Sequence, residues 1–311
     1  MKLKLDTQLS LPNKKINFLA DLVFIGSCFS ENISDKFSAH YINAFTNPNG
    51  IVYNPISISE QIINSISQKT YTEEDIFFHN DQWNSFDFHS LFSALDKNTF
   101  LEKINLQTSL FLEKIKKANF LFISFGSAFV YNYKGKTVSN CHKLSGNFFN
   151  KELLSKEDIL GSFKKTIQLL DKLNPNLQIV FSISPVRYIR DGIVENNLSK
   201  AILIQSVHEI ISEHKNCQYF PAYEIIIDEL RDYRFFKEDF IHPNELAINF
   251  VWEKIKHWMD DETIMFLNEV SKYNQFKNHR LINPAKEVQH EQEVEIKKIQ
   301  LKQKYPTIKF S

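Results

Sequence analysis

Residues 22–30 constrain the fold of this chain more than any other stretch of the sequence. Their first four side chains are apolar, which is typical of a short strand buried on both faces, and Gly26 ends the run. Hydroxyl and thiol side chains follow, directly before an amphipathic run over residues 31–41. The pattern predicts a strand, a sharp turn and a helix in immediate succession.

Such a turn places two nucleophile-capable side chains at an electropositive position. Ser27 and Cys28 fall between the carboxyl end of the strand and the amino end of the helix, where backbone N–H groups and the helix dipole stabilise negative charge. A thiol at this position is expected to ionise more easily than in free solution. The same pattern also fits a purely structural turn, with Ser27 as the N-cap and Cys28 as a small buried hydrophobe.

A second polar stretch lies far downstream. Asp239 and His242 occupy a predicted loop before the helical pattern of residues 245–259, and Pro243 suits the first turn of that helix. A carboxylate three residues before a histidine can accept a hydrogen bond from one ring nitrogen and leave the other facing a nucleophile. An N-capping loop with a surface histidine would give the same pattern.

Together, the two stretches resemble the SGNH (GDSL-like) hydrolase superfamily, whose nucleophile follows the first strand and whose DxxH block lies near the carboxyl terminus. More closely, the chain resembles the GSCFA family, named for a motif that occupies residues 26–30 here and ends in Ser30 instead of alanine. Further segments similar to that family are residues 47–55, 83–90, 140–143, 184–200 and 219–243. The resemblance covers residues 22–259.

The resemblance implies a fold and a chemistry. The expected fold is a three-layer α/β/α sandwich whose central parallel sheet has about five strands in flavodoxin-like order. The implied activity is that of a hydrolase or acyltransferase acting on an ester, for example O-acyl groups on a carbohydrate. His242 would be the base and Asp239 would orient it. Letter-by-letter alignment puts Cys28 at the attacking position, whereas a shift by one residue restores the serine usual in the superfamily, Ser27.

The resemblance also predicts one donor for the oxyanion and leaves the second donor unassigned. Gly50 stands where the superfamily has a glycine whose N–H binds the oxyanion, although a plain turn explains a glycine equally well. The superfamily's next block, GxND, should follow the strand predicted over residues 119–125. The residues there are Gly126, Ser127, Ala128 and Phe129, so the asparagine is missing. Asn140 is the first choice as a substitute donor.

Three further residues are candidates for substrate binding. His142 could hold a substrate oxygen, and His89 lies in an aromatic-rich segment that could form a wall of the pocket, although a histidine satisfied within that segment fits equally. Arg187 follows a predicted strand and could clamp a carboxylate or phosphate of the substrate. Alternatively, Arg187 or Arg190 could form an internal ion pair with Asp191 or Glu195.

Composition bounds the partners and cofactors. Acidic and basic residues balance at 37 each, which gives no global case for nucleic acid or an anionic membrane. Three scattered cysteines favour neither disulfides nor a thiolate metal site, and no GxGxxG or GxxxxGK[ST] motif indicates a nucleotide; we therefore expect no metal and no cofactor. The amino-terminal residues lack the apolar core of a signal peptide, and no apolar run approaches about 20 residues, so we expect a cytoplasmic protein.

Length and charge pattern suggest one large domain, residues 1–260, followed by a charged helical extension, residues 261–311. That extension resembles a solvated or partner-packed helix, through which the chain could form a homo-oligomer. Two functions compete with the enzymatic one. The missing asparagine and the polar residues 187–197 would suit a binding protein for a small anion or glycan, and the extension would suit a scaffold.

Overall fold

The computed structural model describes residues 5–280, 283 and 287–310. The strands are β1 (Leu22–Gly26), β2 (Ala44–Thr46), β3 (Phe77–His79), β4 (Gln82–Asn84), β5 (Phe120–Phe125), β6 (Phe129–Tyr133), β7 (Lys136–Val138), β8 (Asn150–Leu153), β9 (Gln178–Ile183) and β10 (Cys217–Tyr219). The helices are α1 (Cys28–Ala39), α2 (Pro55–Ile66), α3 (Lys97–Lys117), α4 (Lys156–Leu173), α5 (Ile193–Glu213), α6 (Ala222–Glu224), which continues as a π-helix over Ile225–Leu230, α7 (Glu245–Lys256), α8 (Asp261–Lys277) and α9 (Glu287–Lys304).

The central sheet has five strands in the order β10-β9-β5-β1-β2, and every neighbouring pair is parallel. Counting only the strands of this sheet along the chain, the order is 2-1-3-4-5, which is the flavodoxin-like arrangement. The predicted α/β fold with a parallel sheet of about five strands is confirmed. Parallel neighbours bring all carboxyl ends of these strands to one edge, and ligands bind at such an edge in open α/β sheets.

Alternate residues of β1 face two different hydrophobic cores. Leu22 and Phe24 pack in one core with side chains of α1, α7 and α8, while Val23 and Ile25 pack in the other with side chains of α2, α3, α4 and α5. This alternation follows from the two-residue period of a strand. Because both faces of β1 are covered by helices, the structure has the three layers that the sequence predicted.

The turn after β1 is held by backbone contacts that require a glycine. Gly26 has a φ of +139°, and its N–H donates to Asn47 Oδ1 at 2.8 Å. Ser27 then caps α1, because its Oγ accepts the N–H of Phe29 at 3.3 Å. The strand, turn and helix follow one another as predicted, but α1 begins at Cys28, three residues before the predicted run of residues 31–41.

Two antiparallel sheets lie outside the central one. Strands β3 and β4 form a hairpin, and β6 pairs with both β7 and β8. The hairpin between β6 and β7 turns through Lys134 and Gly135, which both have positive φ. Because β6 follows β5 by only a few residues, this smaller sheet lies beside the carboxyl edge of the central sheet.

The carboxyl-terminal segment shares a core with the central sheet. Helix α8 and the residues around the end of α9 contribute buried side chains to the same cluster as Leu22; these are Phe266, Leu267, Val270, Tyr273, Leu301, Tyr305, Ile308 and Phe310. The described part of 261–311 is thus packed on the sheet layer, while α9 itself buries only Leu301. The domain boundary near residue 260 and an oligomer formed through this helix stay predictions.

Among the described residues, none of the helices has both the length and the apolar character of a membrane span. The three cysteines are free.

Replacing Gly26 by alanine should destabilise the fold severely. The added Cβ would lie 2.2 Å from the Ser124 carbonyl oxygen, and φ at this position is unfavourable for any L side chain. We expect Gly26→Ala to lower the free energy of unfolding by at least about 3 kcal/mol, measured by urea unfolding. The control is Gly161→Ala in α4, where no atom lies within 4 Å of the added Cβ. That change should stabilise by about 0.5–1 kcal/mol, and equal effects of the two changes would contradict the close packing.

Candidate active site

A cavity of about 560 Å³ lies at the carboxyl edge of the central sheet. Its walls come from the residues that follow β1, β5 and β9 and from the loop before α7. The structure brings five of the predicted site residues to this cavity: Ser27, Cys28, Asn140, Arg187 and His242. Segments that are distant in the sequence therefore meet at the carboxyl edge of the central sheet.

His242 and Asp239 form a hydrogen-bonded pair whose geometry fixes the proton on the ring. His242 Nδ1 lies 2.7 Å from Asp239 Oδ2. The other carboxylate oxygen, Oδ1, accepts the backbone N–H groups of Ile241 at 2.9 Å and of His242 at 3.0 Å. These N–H groups, His242 first and Ile241 next, together with the ring itself, lower the pKa of Asp239 to about 2. Asp239 is thus ionised at neutral pH and can only accept, so Nδ1 donates in this hydrogen bond, and in the neutral imidazole Nε2 is the nitrogen that can accept.

The loop that carries this pair is closed by backbone hydrogen bonds. The N–H of Lys237 donates to the carbonyl of His242 at 2.7 Å, and Phe236 bridges to Pro243. The N-cap of α7 is Asn244, whose Oδ1 accepts the N–H of Ala247, so Pro243 precedes the helix and does not lie in its first turn as expected. His242 is 42% exposed and faces the cavity.

The two candidate nucleophiles differ in what they contact. Ser27 is 1% exposed, and its Oγ lies 3.3 Å from Ser124 Oγ besides accepting the Phe29 N–H. Cys28 is half-buried and lines the cavity, and its thiol interacts with the backbone N–H groups of Cys28 and Phe29. Neither atom is hydrogen-bonded to His242, and catalytic hydrogen bonds often form only when the substrate is bound. The serine is engaged by the fold, whereas the thiol is available to the cavity.

The thiol of Cys28 is harder to ionise than expected. Burial raises its pKa, and the nearby Glu31 carboxylate raises it further. The backbone N–H groups of Cys28 and Phe29 and the cation of Lys237 act in the opposite direction without reversing the shift. The prediction that the helix amino terminus would favour the thiolate is therefore wrong, because desolvation outweighs the helix terminus here. At neutral pH the group is a thiol.

Four predicted site residues do not line the cavity: Asp239, which acts through His242, and three others, Gly50, His89 and His142. The N–H of Gly50 donates to the Asn47 carbonyl at 2.8 Å, so it is a turn glycine with φ of +86° and not a free oxyanion donor. His89 packs against it and accepts the Leu91 N–H on Nδ1 at 3.2 Å. His142 is buried, with Nε2 2.8 Å from the Ser85 carbonyl. These roles follow from tertiary contacts, and we correct the three assignments accordingly.

The residues after β5, where the GxND block is expected, provide no oxyanion donor from their first two backbone N–H groups. The N–H groups of Gly126 and Ser127 both donate to the Tyr53 carbonyl, at 2.7 and 3.0 Å. Asn140 does line the cavity, and its Oδ1 accepts the N–H of His142 at 2.8 Å. Its Nδ2 group is then the part of this side chain that can donate to a ligand.

Arg187 is open to the cavity because no described acid pairs with it. Its guanidinium lies 5.5 Å from the ring centroid of Phe236, a cation–π contact. Asp191, one of the partners proposed from the sequence, forms its ion pair with Lys151. The structure therefore favours the substrate-facing alternative for Arg187 over an internal ion pair.

The sequence interpretation missed Lys200, which holds two strand ends together under the site. Its Nζ is buried and donates to the carbonyls of Gly126 at 2.6 Å and Ser184 at 2.7 Å, which follow β5 and β9. Burial lowers its pKa to about 7, and the nearby Cys28 side chain acts in the opposite direction. The sequence did contain a signal, since Lys200 lies on the same helical stripe as the apolar Leu203 and Val207.

Comparisons with known proteins agree with the resemblance seen in the sequence. The sequence model described as the GSCFA family matches residues 21–255. No curated protein gives a significant match. Among solved structures, an acetyl xylan esterase (Est2A) from the rumen bacterium Butyrivibrio proteoclasticus has a TM-score of 0.40 at 11% identity, covering 82% of this chain and 67% of the other.

Two more solved structures are similar at the same low level. A carbohydrate esterase family 3 protein from Talaromyces cellulolyticus has a TM-score of 0.37 at 8% identity, with 80% of this chain and 98% of the other covered. The periplasmic domain of a lipopolysaccharide acetyltransferase from Salmonella ser. Paratyphi A has a TM-score of 0.37 at 11% identity, with 77% and 84% covered. Likeness at this level supports no conclusion about activity.

Alkylation of Cys28 should report its raised pKa. In a Cys141→Ser background, we expect iodoacetamide labelling of Cys28 to increase with pH to a midpoint above 9.0, because only the thiolate reacts. Glu31→Gln removes a nearby negative charge and should move the midpoint to lower pH, whereas the exposed Glu74→Gln should leave it unchanged. A wild-type midpoint below pH 7 would contradict the assignment of a neutral thiol.

Lys200 should make stability depend on pH. Its pKa is lower in the folded protein, about 7 against 10.5, so between these values the unfolded chain binds the extra proton and stability rises with pH. We expect the free energy of unfolding of the wild type to rise across this window relative to Lys200→Met, in urea titrations at several pH values. The exposed Lys164→Met is the control and should keep the wild-type slope. An identical slope in Lys200→Met would refute the effect.

Proposed function

The chain belongs to the GSCFA family, and we propose that it is an acyl-transfer enzyme, a hydrolase or acyltransferase that acts on an ester through Cys28, His242 and Asp239. One observation carries the proposal: the ring of a carboxylate-oriented histidine and a thiol at a helix amino terminus face the same cavity. This is the combination that nucleophilic acyl transfer requires. Esters of carbohydrates are one candidate substrate class, suggested by the superfamily resemblance.

The proposed reaction begins from the neutral thiol. As Cys28 Sγ attacks the acyl carbonyl carbon, its proton passes to His242 Nε2, and the ionised Asp239 stabilises the imidazolium that results. The Sγ–C bond forms, the ester C–O bond breaks, and the imidazolium gives its proton to the leaving oxygen. Water or an acceptor alcohol then attacks the thioester and gives its proton to His242; the Sγ–C bond breaks, and the imidazolium returns the proton to Cys28 Sγ. Attack by water completes hydrolysis, whereas attack by an alcohol transfers the acyl group to that alcohol.

Two groups are positioned to stabilise the oxyanion. The N–H of Cys28 is at the first position of α1, where a helix has no internal acceptor for it. The Nδ2 group of Asn140 lines the same cavity. Donors that are fixed before the reaction stabilise the developing charge without reorganisation, which is the main source of rate enhancement in this class of reaction.

Burial and hydrogen bonding support Cys28 over Ser27 as the nucleophile. Ser27 Oγ accepts the Phe29 N–H in the first turn of α1 and is closed off from solvent, so using it in catalysis would remove the cap of the helix that presents Cys28. We assign Ser27 the structural role and Cys28 the chemical one.

A second candidate function is ligand binding without turnover. It is favoured by the missing asparagine after β5, where the amides of Gly126 and Ser127 are already bonded to the Tyr53 carbonyl. A cavity that lacks one oxyanion donor could still bind a small anion or glycan. The kinetic experiment below distinguishes the two functions.

Kinetics with 4-nitrophenyl acetate test the enzymatic proposal. We expect Cys28→Ala to abolish turnover and His242→Ala to lower kcat/KM by at least about 100-fold, because the general base is lost. Ser27→Ala should keep most of the activity and lose about 1 kcal/mol of stability as a missing helix cap. The exposed His257→Ala, at the end of α7, is the control for nonspecific histidine reactivity.

Undiminished turnover in His242→Ala would remove the proposed mechanism. If no ester is turned over while a ligand still protects Cys28 from alkylation, the binding function is the correct one.

A further inference from the structure

The catalytic cavity is lined by two arginines and by no carboxylate. Of the described residues that line it, Arg187 and Arg190 are positively charged, and none is aspartate or glutamate. The carboxylates of Asp239, which bonds to His242, and of Asp191, which acts on Arg190, lie outside this lining. The whole chain, in contrast, has equal numbers of acidic and basic residues. A cavity with this local imbalance attracts anions, because low-dielectric walls focus the field of the cations that line it.

Arg187 has the geometry of a ligand-binding cation. Its guanidinium carbon lies 5.5 Å from the ring centroid of Phe236, a cation–π contact that uses none of its N–H groups. No described acid forms an ion pair with it, and Asp191 is held by Lys151. A planar guanidinium presents parallel N–H donors that match the two oxygens of a carboxylate or phosphate.

Arg190 is positioned by two tyrosines on the same wall. The hydroxyl of Tyr188 interacts with the Arg190 side chain and lies 3.4 Å from the hydroxyl of Tyr131. These contacts are with neutral groups, so the positive charge of Arg190 still acts on the cavity. Both arginines follow β9, while Cys28 follows β1, and the cavity of about 560 Å³ extends between them. That volume is within the range of sites for small-molecule ligands.

We propose that the substrate is an ester that carries an anionic oxyacid group, a carboxylate or a phosphate, and that Arg187 clamps this group while the acyl carbon lies at Cys28. The inference rests on the proposed function and specifies its substrate class. Arg190 adds attraction without being the primary ligand. The apolar side chains of Val186 and Ile189 on the same wall suit a carbon skeleton between the anion and the ester.

Matched ester pairs test the proposal. Turnover of 4-acetoxybenzoate is compared with that of its neutral methyl ester, and 4-acetoxyphenyl phosphate distinguishes phosphate from carboxylate. The selectivity, kcat/KM for the anionic ester over that for the neutral one, should fall by at least about 10-fold in Arg187→Met, because a charge-assisted bidentate contact is lost. Arg187→Lys keeps the positive charge but lacks the paired N–H donors, so its selectivity should lie between those of the wild type and Arg187→Met. Arg234→Met removes an exposed arginine that pairs with Asp232 and should leave the selectivity at the wild-type value.

The outcomes separate this proposal from the proposed function. If esters are turned over in a His242-dependent manner but Arg187→Met keeps the wild-type selectivity, the anion site is refuted and the enzymatic function stands. If no ester is turned over, 4-hydroxybenzoate or phenyl phosphate should still protect Cys28 from iodoacetamide in the wild type and not in Arg187→Met. That result would support the anion site and refute the enzyme, and an absence of protection would refute both.

Discussion

Gly26 lies so close to the Ser124 carbonyl of β5 that no side chain fits between them, and the site depends on this contact. The contact lets the chain turn directly from β1 into α1, and the Gly26 carbonyl then accepts the N–H of Val52 at 3.0 Å. The residues after the turn are fixed as a consequence. Ser27 must cap the helix and Cys28 must begin it. If the cysteine stood one position earlier or later along α1, its thiol would be rotated by about 100° around the helix axis and away from the cavity.

The second half of the site is built locally and is joined to the first half by the sheet. Asp239 and His242 are held by hydrogen bonds within their own loop, so their pairing needs no contact with β1. Their position relative to Cys28 depends on α7 packing against α1 in the core that also contains Leu22 and Phe24. Lys200 fixes the intervening strand ends by bonding the carbonyls after β5 and β9. The geometry of the site is therefore a property of the whole sheet edge.

Local patterns predicted what is decided locally. The apolar run of β1, the turn at Gly26 and the DxxH loop each depend on neighbouring residues, and the parallel sheet follows from alternating strands and helices. For Gly50 and His89 the structure agrees with the structural alternatives that the sequence left open, and His142 is buried against the Ser85 carbonyl; their hydrogen-bond partners are set by tertiary contacts that the sequence does not reveal. The predicted direction of the Cys28 pKa shift was wrong because the burial of the thiol cannot be predicted from its position at the start of a helix.

The electrostatics of the site favour a reaction that starts from neutral partners. Glu31 and burial keep the Cys28 thiol protonated, while Asp239 stays ionised and keeps His242 Nε2 able to accept a proton. A bound anion at Arg187 would place further negative charge in the cavity and would disfavour the thiolate still more. Ionisation of Cys28 without the transfer of its proton to His242 is then costly. Attack and proton transfer are thereby coupled, and the thiol becomes nucleophilic only when an ester and the imidazole are both in position.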